Sequence, residues 1–199
     1  GQNPDMGLLN WRKLEENFGS ESGYLGFLRD SPSAAQRLCH VLSNSRFLGD
    51  ALNKSVESVT WLGNDDSLQP RSRESLDIQT KATLERNAGN INDFANSIRA
   101  MRRHEIERIG LAWMSGVIDD EASLAGMTDV YDAAIEASLQ WAIQHRINDI
   151  QIDEAPAAIA IIGMGRYGGR EVNFSSDADV IIIYRPAEGA DDDQANLFA

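Results

Sequence analysis

Two aspartates are the residues whose types and spacing most clearly could do chemistry. Asp177 and Asp179 lie two positions apart at the start of an apolar run that ends at Tyr184. In a β-strand, residues i and i+2 face the same side, about 6.6 Å apart. Two bare carboxylates at that distance repel by about 2.5 kcal/mol at an effective dielectric constant of 20. A divalent cation would turn this repulsion into a binding site, and Mg²⁺ suits such oxygen ligands and often completes its shell with substrate phosphates.

The glycine-rich segment before the aspartates has the properties of a phosphate-binding turn. Residues 163–169 read GMGRYGG and follow a short apolar run at 157–162. Glycines let the backbone approach a phosphate closely, and successive amides can cradle it. Arg166 would supply positive charge to a triphosphate. A glycine turn, a basic group and an Asp-x-Asp pair are the parts needed for nucleotidyl transfer, in which metal ions bridge the attacked phosphorus and the leaving pyrophosphate.

The same residues are compatible with two alternatives at the level of sequence. Asp177 could cap a turn while Asp179 makes a structural hydrogen bond. Gly163, Gly165 and Gly168 also match the dinucleotide-binding fingerprint, but that fingerprint requires a crossover helix and an acidic residue at the far end of the next strand. Here the next predicted strand begins at Asp177, only nine residues after Gly168, which leaves no room for a crossover helix. We therefore favour nucleotidyl transfer.

The elements that position these residues follow from hydrophobic periodicity. Residues 1–150 read as mainly helical and residues 151–199 as two buried strands around the glycine turn, so we predict an α+β fold with a boundary near Pro156. Ser31 before Pro32 predicts a helix start. Apolar residues from Ile91 to Val117 trace one face of a long helix, and Thr128 is predicted to cap a separate, last one. The first twenty residues show little periodicity and are expected to be partly loose.

Composition restricts the partners and the compartment. The 199 residues carry a formal net charge of −13, which argues against sequence-independent nucleic-acid binding and against an anionic membrane surface. The single cysteine, Cys39, excludes an internal disulfide and fits a reducing compartment, so we expect a cytoplasmic protein. A basic stripe on the long helix, with Glu105 and Glu107 beside it, reads as a solvated face with salt links. Its arginines are Arg99, Arg102, Arg103 and Arg108.

The complete motif resembles that of a known family. The pattern from Gly163 to Val180, with its glycines, Arg166, Glu171-Val172-Asn173 and Ser176-Asp177-x-Asp179, is similar to the signature of the glutamine synthetase adenylyltransferases, which belong to the polymerase-β-type nucleotidyltransferases. The family often has lysine where Arg166 stands, and arginine keeps the charge in a planar fork. Residues 27–32, 46–50 and 99–109 resemble the helical region that precedes the catalytic domain.

The resemblance implies a function and a set of site residues. Such enzymes have two homologous halves: one transfers AMP from ATP to a tyrosine of glutamine synthetase, and the other removes it by phosphorolysis. A PII-type signalling protein and glutamine set the balance. By resemblance, Asp177 and Asp179 would be catalytic and hold Mg²⁺, and the triphosphate would contact Gly165, Arg166, Gly168, Gly169 and Ser176. The upstream segments look more like the adenylylating half of an actinobacterial member.

The resemblance also predicts that part of the catalytic machinery is not in this chain. The superfamily uses a third carboxylate on a later strand, and no clear third strand follows Tyr184. We therefore expect only the first strands of a mixed nucleotidyltransferase sheet, at residues 151–199, and little or no transferase activity from these residues alone. The adenylyl-removing half and a non-catalytic helical docking module remain the alternatives.

Overall fold

The computed structural model describes residues 2–18 and 22–199 and has an α+β fold. Helices occupy most of the described chain up to Ile150, and two strands follow. The helices before the strands are α1 (Pro4–Phe18), α2 (Ser22–Asp30), α3 (Pro32–Asn44), α4 (Arg46–Leu52), α5 (Val56–Trp61), α6 (Asp65–Leu68), α7 (Arg73–Arg86), α8 (Ile91–Met114) and α9 (Asp120–Ile150). Next come β1 (Ala157–Gly163), α10 (Gly165–Gly168), β2 (Val180–Pro186) and α11 (Asp192–Phe198).

The chain divides into two compact units. One comprises Gly1–Pro70 and His104–Ser123, and the other comprises Arg71–Arg103 and Leu124–Ala199, so that α8 and α9 each contribute residues to both. The interval between Ile150 and Ala157 coincides with the composition shift. The division into a helical region at 1–150 and the start of a catalytic domain at 151–199 stays a prediction. In the described ranges, no helix is both long and apolar enough to cross a membrane.

The first unit is held together by a leucine-rich core. Helix α3 begins at Pro32 after Ser31, as the sequence predicts, and buries one apolar face against α1. The core residues that are fully shielded from solvent include Leu14, Leu38, Leu52, Leu62 and Leu68. Burying each such side chain contributes roughly 1.5–3 kcal/mol, so packing supplies most of what short helices lack in intrinsic stability.

The second unit contains the sheet. β1 and β2 pair antiparallel, from Ala157 opposite Pro186 to Gly163 opposite Val180. Ala157 packs in a small core with Ala195 and Phe198 of α11, against which Ile143 and Ile147 of α9 also lie. This core attaches the sheet to α9 and α11, and the end of β1 at Gly163 leads directly into the glycine turn.

Two helical predictions are wrong. Within the first twenty residues, 4–18 are helical rather than loose, and residues 1, 19 and 20 lie outside the described ranges. The helix is stable because α1 packs on α3: Leu14 is fully buried, and the Asn10 side chain donates a 2.9 Å hydrogen bond to the Leu42 carbonyl. The predicted helix break at Thr128 is absent: α9 runs unbroken from Asp120 to Ile150. Thr128 is buried and its hydroxyl donates to the Leu124 carbonyl at 2.9 Å, as a residue inside a helix does.

The basic stripe on α8 is only partly a solvated face. Arg99, Arg102 and Arg103 are exposed, but Glu105, Glu107 and Arg108 are buried. The Arg108 Nε donates to Glu105 Oε2 at 3.1 Å, and the guanidinium lies 4.0 Å from the centroid of the Trp61 ring. A partner carboxylate and an aromatic face together compensate the charge of a buried arginine.

The prediction of two buried strands is wrong for both strands, and most clearly for β2. In β1 only Ala157 is buried, and Ala158, Ala160 and Ile162 are exposed. Side chains of β1 alternate between buried or half-buried and more exposed positions, whereas Val180–Tyr184 of β2 are all exposed. A continuous apolar run is typical of a strand covered on both faces. In this two-stranded sheet the described residues cover β2 much less than β1.

Candidate functional site

The glycine turn and the aspartate segment are joined by the backbone. The amide of Met164, the first residue after β1, donates a 2.8 Å hydrogen bond to the carbonyl of Asp179, the last residue before β2. The ladder between Gly163 and Val180 continues this pairing on the strand side. As a result, the turn and Asp179 meet at the same end of the sheet, and Asp177 lies two positions earlier in the segment that leads to it.

Gly165 lies beside the Asp179 carboxylate. A Cβ atom built on Gly165 would be 3.6 Å from Asp179 Oδ2, and Gly165 has φ +53°. Any other L-residue would strain this left-handed backbone by about 1–2 kcal/mol and would place its side chain against the carboxylate. Glycine therefore keeps the space between the turn and Asp179 open.

Gly168 is needed because two backbone segments approach each other closely. A Cβ on Gly168 would be only 2.3 Å from the carbonyl oxygen of Gly163. The Gly168 amide donates to the Met164 carbonyl at 2.8 Å, and the Gly169 amide donates to the Gly165 carbonyl at 3.0 Å. These two amides thus close the one-turn helix α10. Contact of Gly168 and Gly169 with a triphosphate stays a prediction.

Asp177 and Asp179 are both exposed and precede β2, which begins at Val180 rather than at Asp177. The described residues contain no group of three His, Cys, Asp or Glu side chains that could hold a metal ion. The pair itself supplies accessible carboxylate oxygens, the ligand type that Mg²⁺ prefers. Such an ion would take its remaining ligands from phosphate, water or a further carboxylate, and magnesium binding by Asp177 and Asp179 stays a prediction.

The two arginines of the turn region have different partners. Arg166 is exposed and, in the part of the chain that the structure describes, forms no ion pair. Arg170 is held by α9, with Nη2 at 2.6 Å from Asp129 Oδ1 and Nη1 at 3.4 Å from Asp132 Oδ2. The bond to Asp129 is the main reason why the pKa of Arg170 is raised. Of these two cations, only Arg166 is available for an anionic ligand.

Ser176 is part of a turn with Asn173. Its hydroxyl oxygen accepts a 3.0 Å hydrogen bond from the Asn173 amide and donates to Asn173 Oδ1 at 3.1 Å. Its carbonyl accepts a weak 3.5 Å bond from the Tyr131 hydroxyl of α9. The structure therefore gives Ser176 a role in shaping the segment before Asp177, and its contact with a nucleotide stays a prediction.

Sequence reasoning missed the residues that fix the turn to α9. Tyr167 is buried under the turn, and its hydroxyl donates a 2.7 Å hydrogen bond to Asp132 Oδ1. Burial raises the pKa of the Tyr167 hydroxyl, and the hydrogen bond to Asp132 raises it further. The available signal was the spacing of Asp129, Asp132 and Glu136, which places three carboxylates on one face of a helix.

The antiparallel pairing also decides against the dinucleotide alternative. That motif requires parallel strands joined by a crossover helix. Here β1 and β2 are antiparallel, and residues 169–179 between α10 and β2 form no helix. The glycine turn with its Asp-x-Asp segment therefore belongs to a hairpin-like connection rather than to a Rossmann unit.

Comparison with known proteins assigns the chain to an enzyme class, the adenylyltransferases. Residues 35–198 match the family described as Glutamate-ammonia ligase adenylyltransferase. The matched range includes the glycine turn, both aspartates and most of the helical region. The chain belongs to this family, as the motif predicts.

Individual relatives agree with the family assignment. A bifunctional glutamine synthetase adenylyltransferase/adenylyl-removing enzyme of Bifidobacterium longum (strain DJO10A) is 75% identical over all 199 residues. Enzymes of the same name from Leifsonia xyli subsp. xyli and Mycobacterium tuberculosis (strain ATCC 25618 / H37Rv) are each 38% identical over 96% of the chain. The chain spans only 18–19% of the length of these relatives.

Proposed function

We propose that this chain supplies the nucleotide-binding start of a catalytic centre that transfers AMP from ATP to a tyrosine of glutamine synthetase. The observation that carries the proposal is the junction of the glycine turn with the Asp-x-Asp segment, where Met164 bonds to Asp179 and Gly165 faces its carboxylate. The turn can approach phosphates while the carboxylates hold their counterion. Family membership and the names of the relatives support this choice of reaction.

In this mechanism, Asp177 and Asp179 are the residues that would hold Mg²⁺ at the end of the sheet where the glycine turn lies. The bound ion would neutralise phosphate charge and stabilise the leaving pyrophosphate. Arg166 adds a cation on the turn side. The tyrosine oxygen of the acceptor forms a bond to the α-phosphorus of ATP as the bond to pyrophosphate breaks, and the hydroxyl proton is released to water.

The relatives' name includes the reverse activity, removal of the adenylyl group. Phosphorolysis uses the same in-line displacement at the same phosphorus, so one constellation of residues serves either direction. We assign transfer to this chain because the helical segments at residues 27–32 and 46–50 look like those of the adenylylating half. Regulation by a PII-type protein, and a cytoplasmic location, belong to the same proposal.

The test is AMP transfer to glutamine synthetase by the complete enzyme that carries these residues. Asp179→Asn removes the carboxylate charge but leaves the backbone carbonyl that bonds to Met164. We expect the rate to fall by at least about 100-fold, because even the loss of a residue that only supports a metal ligand costs about 10–100-fold. The matched control is Asp193→Asn, an exposed acid in α11, which should leave the rate unchanged.

An unchanged transfer rate in Asp179→Asn would remove the catalytic assignment. If that variant instead loses only removal of AMP from modified glutamine synthetase, the chain belongs to the adenylyl-removing half. The 199-residue chain alone is expected to show little or no transfer, because the family's third carboxylate lies on a later strand. Robust transfer by the chain alone would contradict that part of the proposal.

A further inference from the structure

A partly buried hydrogen bond connects the glycine turn to helix α9. We propose that Asp132 is a positioning residue for the nucleotide site: by holding Tyr167 and Arg170, it fixes the glycine turn in the form that faces Asp179. This inference rests on the proposed function, since it gives the helical region a task in binding ATP. It concerns only residues of the second compact unit.

The Asp132 carboxylate is held from three directions. Oδ1 accepts the 2.7 Å hydrogen bond from the Tyr167 hydroxyl. Oδ2 lies 3.3 Å from Arg73 Nη1 of α7 and 3.4 Å from Arg170 Nη1. Arg73 is in turn paired with Asp77 on its own helix, at 2.7 Å. Charge-assisted bonds of this kind are stronger and more directional than neutral ones, so Asp132 has a defined position.

Tyr167 transmits that position to the turn. It is one of the four residues of α10, and its side chain is only 8% exposed. A Cβ on Gly163 would be 3.0 Å from its ring, so the ring lies directly against the end of β1. If the ring moves, the turn between Met164 and Gly168 must move with it. Since Met164 bonds to Asp179, such a movement either displaces Asp179 or breaks this bond.

Asp132 also separates the roles of the two arginines. Arg170 would otherwise be a second cation four positions after Arg166, able to compete for the same phosphate. Asp129 and Asp132 hold it against α9, at 2.6 Å and 3.4 Å. Arg166 is thereby left as the arginine that faces the ligand, so a single positive side chain lies beside the phosphates.

The experiment uses Asp132→Ala and Tyr167→Phe in the complete enzyme. The matched control is Asp149→Ala, which removes a carboxylate at the exposed end of α9, where it pairs with Arg146 at 3.4 Å. Two readouts are taken: amide hydrogen exchange of residues 163–171 without nucleotide, and the KM for ATP in AMP transfer. Asp179→Asn reports whether the assay depends on this site at all.

We expect faster exchange across residues 163–171 in both variants. The KM for ATP should rise on the order of 10-fold, a loss of about 1.4 kcal/mol of binding free energy, because a loosened turn binds the phosphates less well. The kcat should change much less than KM. Because Asp132 and Tyr167 act through one bond, the double variant should be no worse than Asp132→Ala alone. Asp149→Ala should behave like the unmodified enzyme in both readouts.

Unchanged hydrogen exchange at residues 163–171 in Tyr167→Phe would overturn the inference. This variant removes only one hydroxyl group, so it stays informative if Asp132→Ala fails to fold. Faster exchange with an unchanged KM would also overturn it, because the bond would then be structural only. If Asp179→Asn leaves transfer intact, the proposed function fails instead, and the exchange data alone then report on the bond between Tyr167 and Asp132.

Discussion

At the residue scale, neighbouring glycines of the turn tolerate very different changes. A Cβ atom added to Gly168 would lie 2.3 Å from the Gly163 carbonyl oxygen, which is a severe clash. A Cβ atom added to Gly169 would lie 3.4 Å from the Gly165 carbonyl oxygen, which is an ordinary contact. We predict that Gly168→Ala destabilises the protein by about 1–3 kcal/mol, because the backbone must shift, while Gly169→Ala changes the free energy of unfolding by less than about 1 kcal/mol. Urea unfolding of the two variants measures the difference. Equal effects would mean that the close approach is absent in solution.

The raised pKa of Tyr167 leads us to predict that the stability of the protein depends on pH in the alkaline range. Its pKa is raised in the folded protein by burial and by Asp132, whereas the unfolded chain ionises near the usual value of about 10. Its contribution to stability is therefore fully present below pH 10 and is lost as the pH rises towards the folded pKa.

The measurement for this prediction is the free energy of unfolding of Tyr167→Phe between pH 8 and pH 11. At pH 8 the variant should be less stable by about 1–3 kcal/mol, for the lost hydrogen bond to a charged group. The gap from the unmodified protein should narrow above pH 10. The control is Tyr184→Phe, whose hydroxyl is exposed and donates to Asn196. Parallel pH curves for Tyr167→Phe and the unmodified protein would contradict the assignment.

At the element scale, local sequence patterns predict where a helix begins better than they predict which of its residues are buried. Pro32 after Ser31 correctly predicts the start of α3, because proline fits the first helical turn. Thr128 lies two positions after Gly126 and resembles a cap. Burial of Gly126, Met127 and Thr128 nevertheless keeps α9 continuous, since a glycine costs a helix only about 1 kcal/mol. Tertiary packing of this kind leaves no mark in local sequence.

Helix α8 illustrates the same limit for charged residues. Its apolar face is predicted correctly at Phe94, Ile98, Met101 and Ile109, all buried. Glu105 and Arg108 look like a surface pair, because a sequence does not reveal that Trp61 will lie over Arg108. We predict that Glu105→Gln costs about 3–5 kcal/mol, since it leaves the Arg108 charge buried without its counterion.

The comparison for that prediction is an exposed pair on α1. The side chains of Arg12 and Glu16 are 77% and 59% exposed and lie 2.7 Å apart. Glu16→Gln should change stability by less than about 1 kcal/mol, because water screens such pairs. Denaturant unfolding of both variants gives the two values. A loss as small for Glu105→Gln as for Glu16→Gln would show that Arg108 is solvated.

At the scale of the whole molecule, β2 presents an apolar surface. Ile182 is 63% exposed, and its neighbours Ile181, Ile183 and Tyr184 are exposed as well. Contiguous apolar surface on an edge strand promotes association between chains. We predict that Ile182→Lys lowers self-association of the 199-residue chain at unchanged melting temperature, measured by light scattering. Gln194→Lys adds the same charge at an exposed polar position, and an equal effect of the two variants would assign the association to net charge instead.

The catalytic interpretation also depends on the whole chain. The spacing of glycines and aspartates predicts the reaction class and the family, because that chemistry needs those residue types close together along the sequence. The bond between Tyr167 and Asp132 joins residues 35 positions apart, so it becomes visible only once α9 is seen beside the turn. Long-range positioning of this kind is the part of the site that sequence reasoning could not supply.

The most direct test of the central claim is the affinity of the complete enzyme for the Mn²⁺ complex of ATP, with Mn²⁺ replacing Mg²⁺. Electron paramagnetic resonance measures this affinity. If Asp177 and Asp179 hold the metal of the nucleotide, Asp177→Asn and Asp179→Asn should each weaken Mn²⁺–ATP binding by at least about 10-fold. Asp193→Asn should bind as the unmodified enzyme does. Unchanged Mn²⁺–ATP affinity in both aspartate variants would contradict a metal site at the end of this sheet.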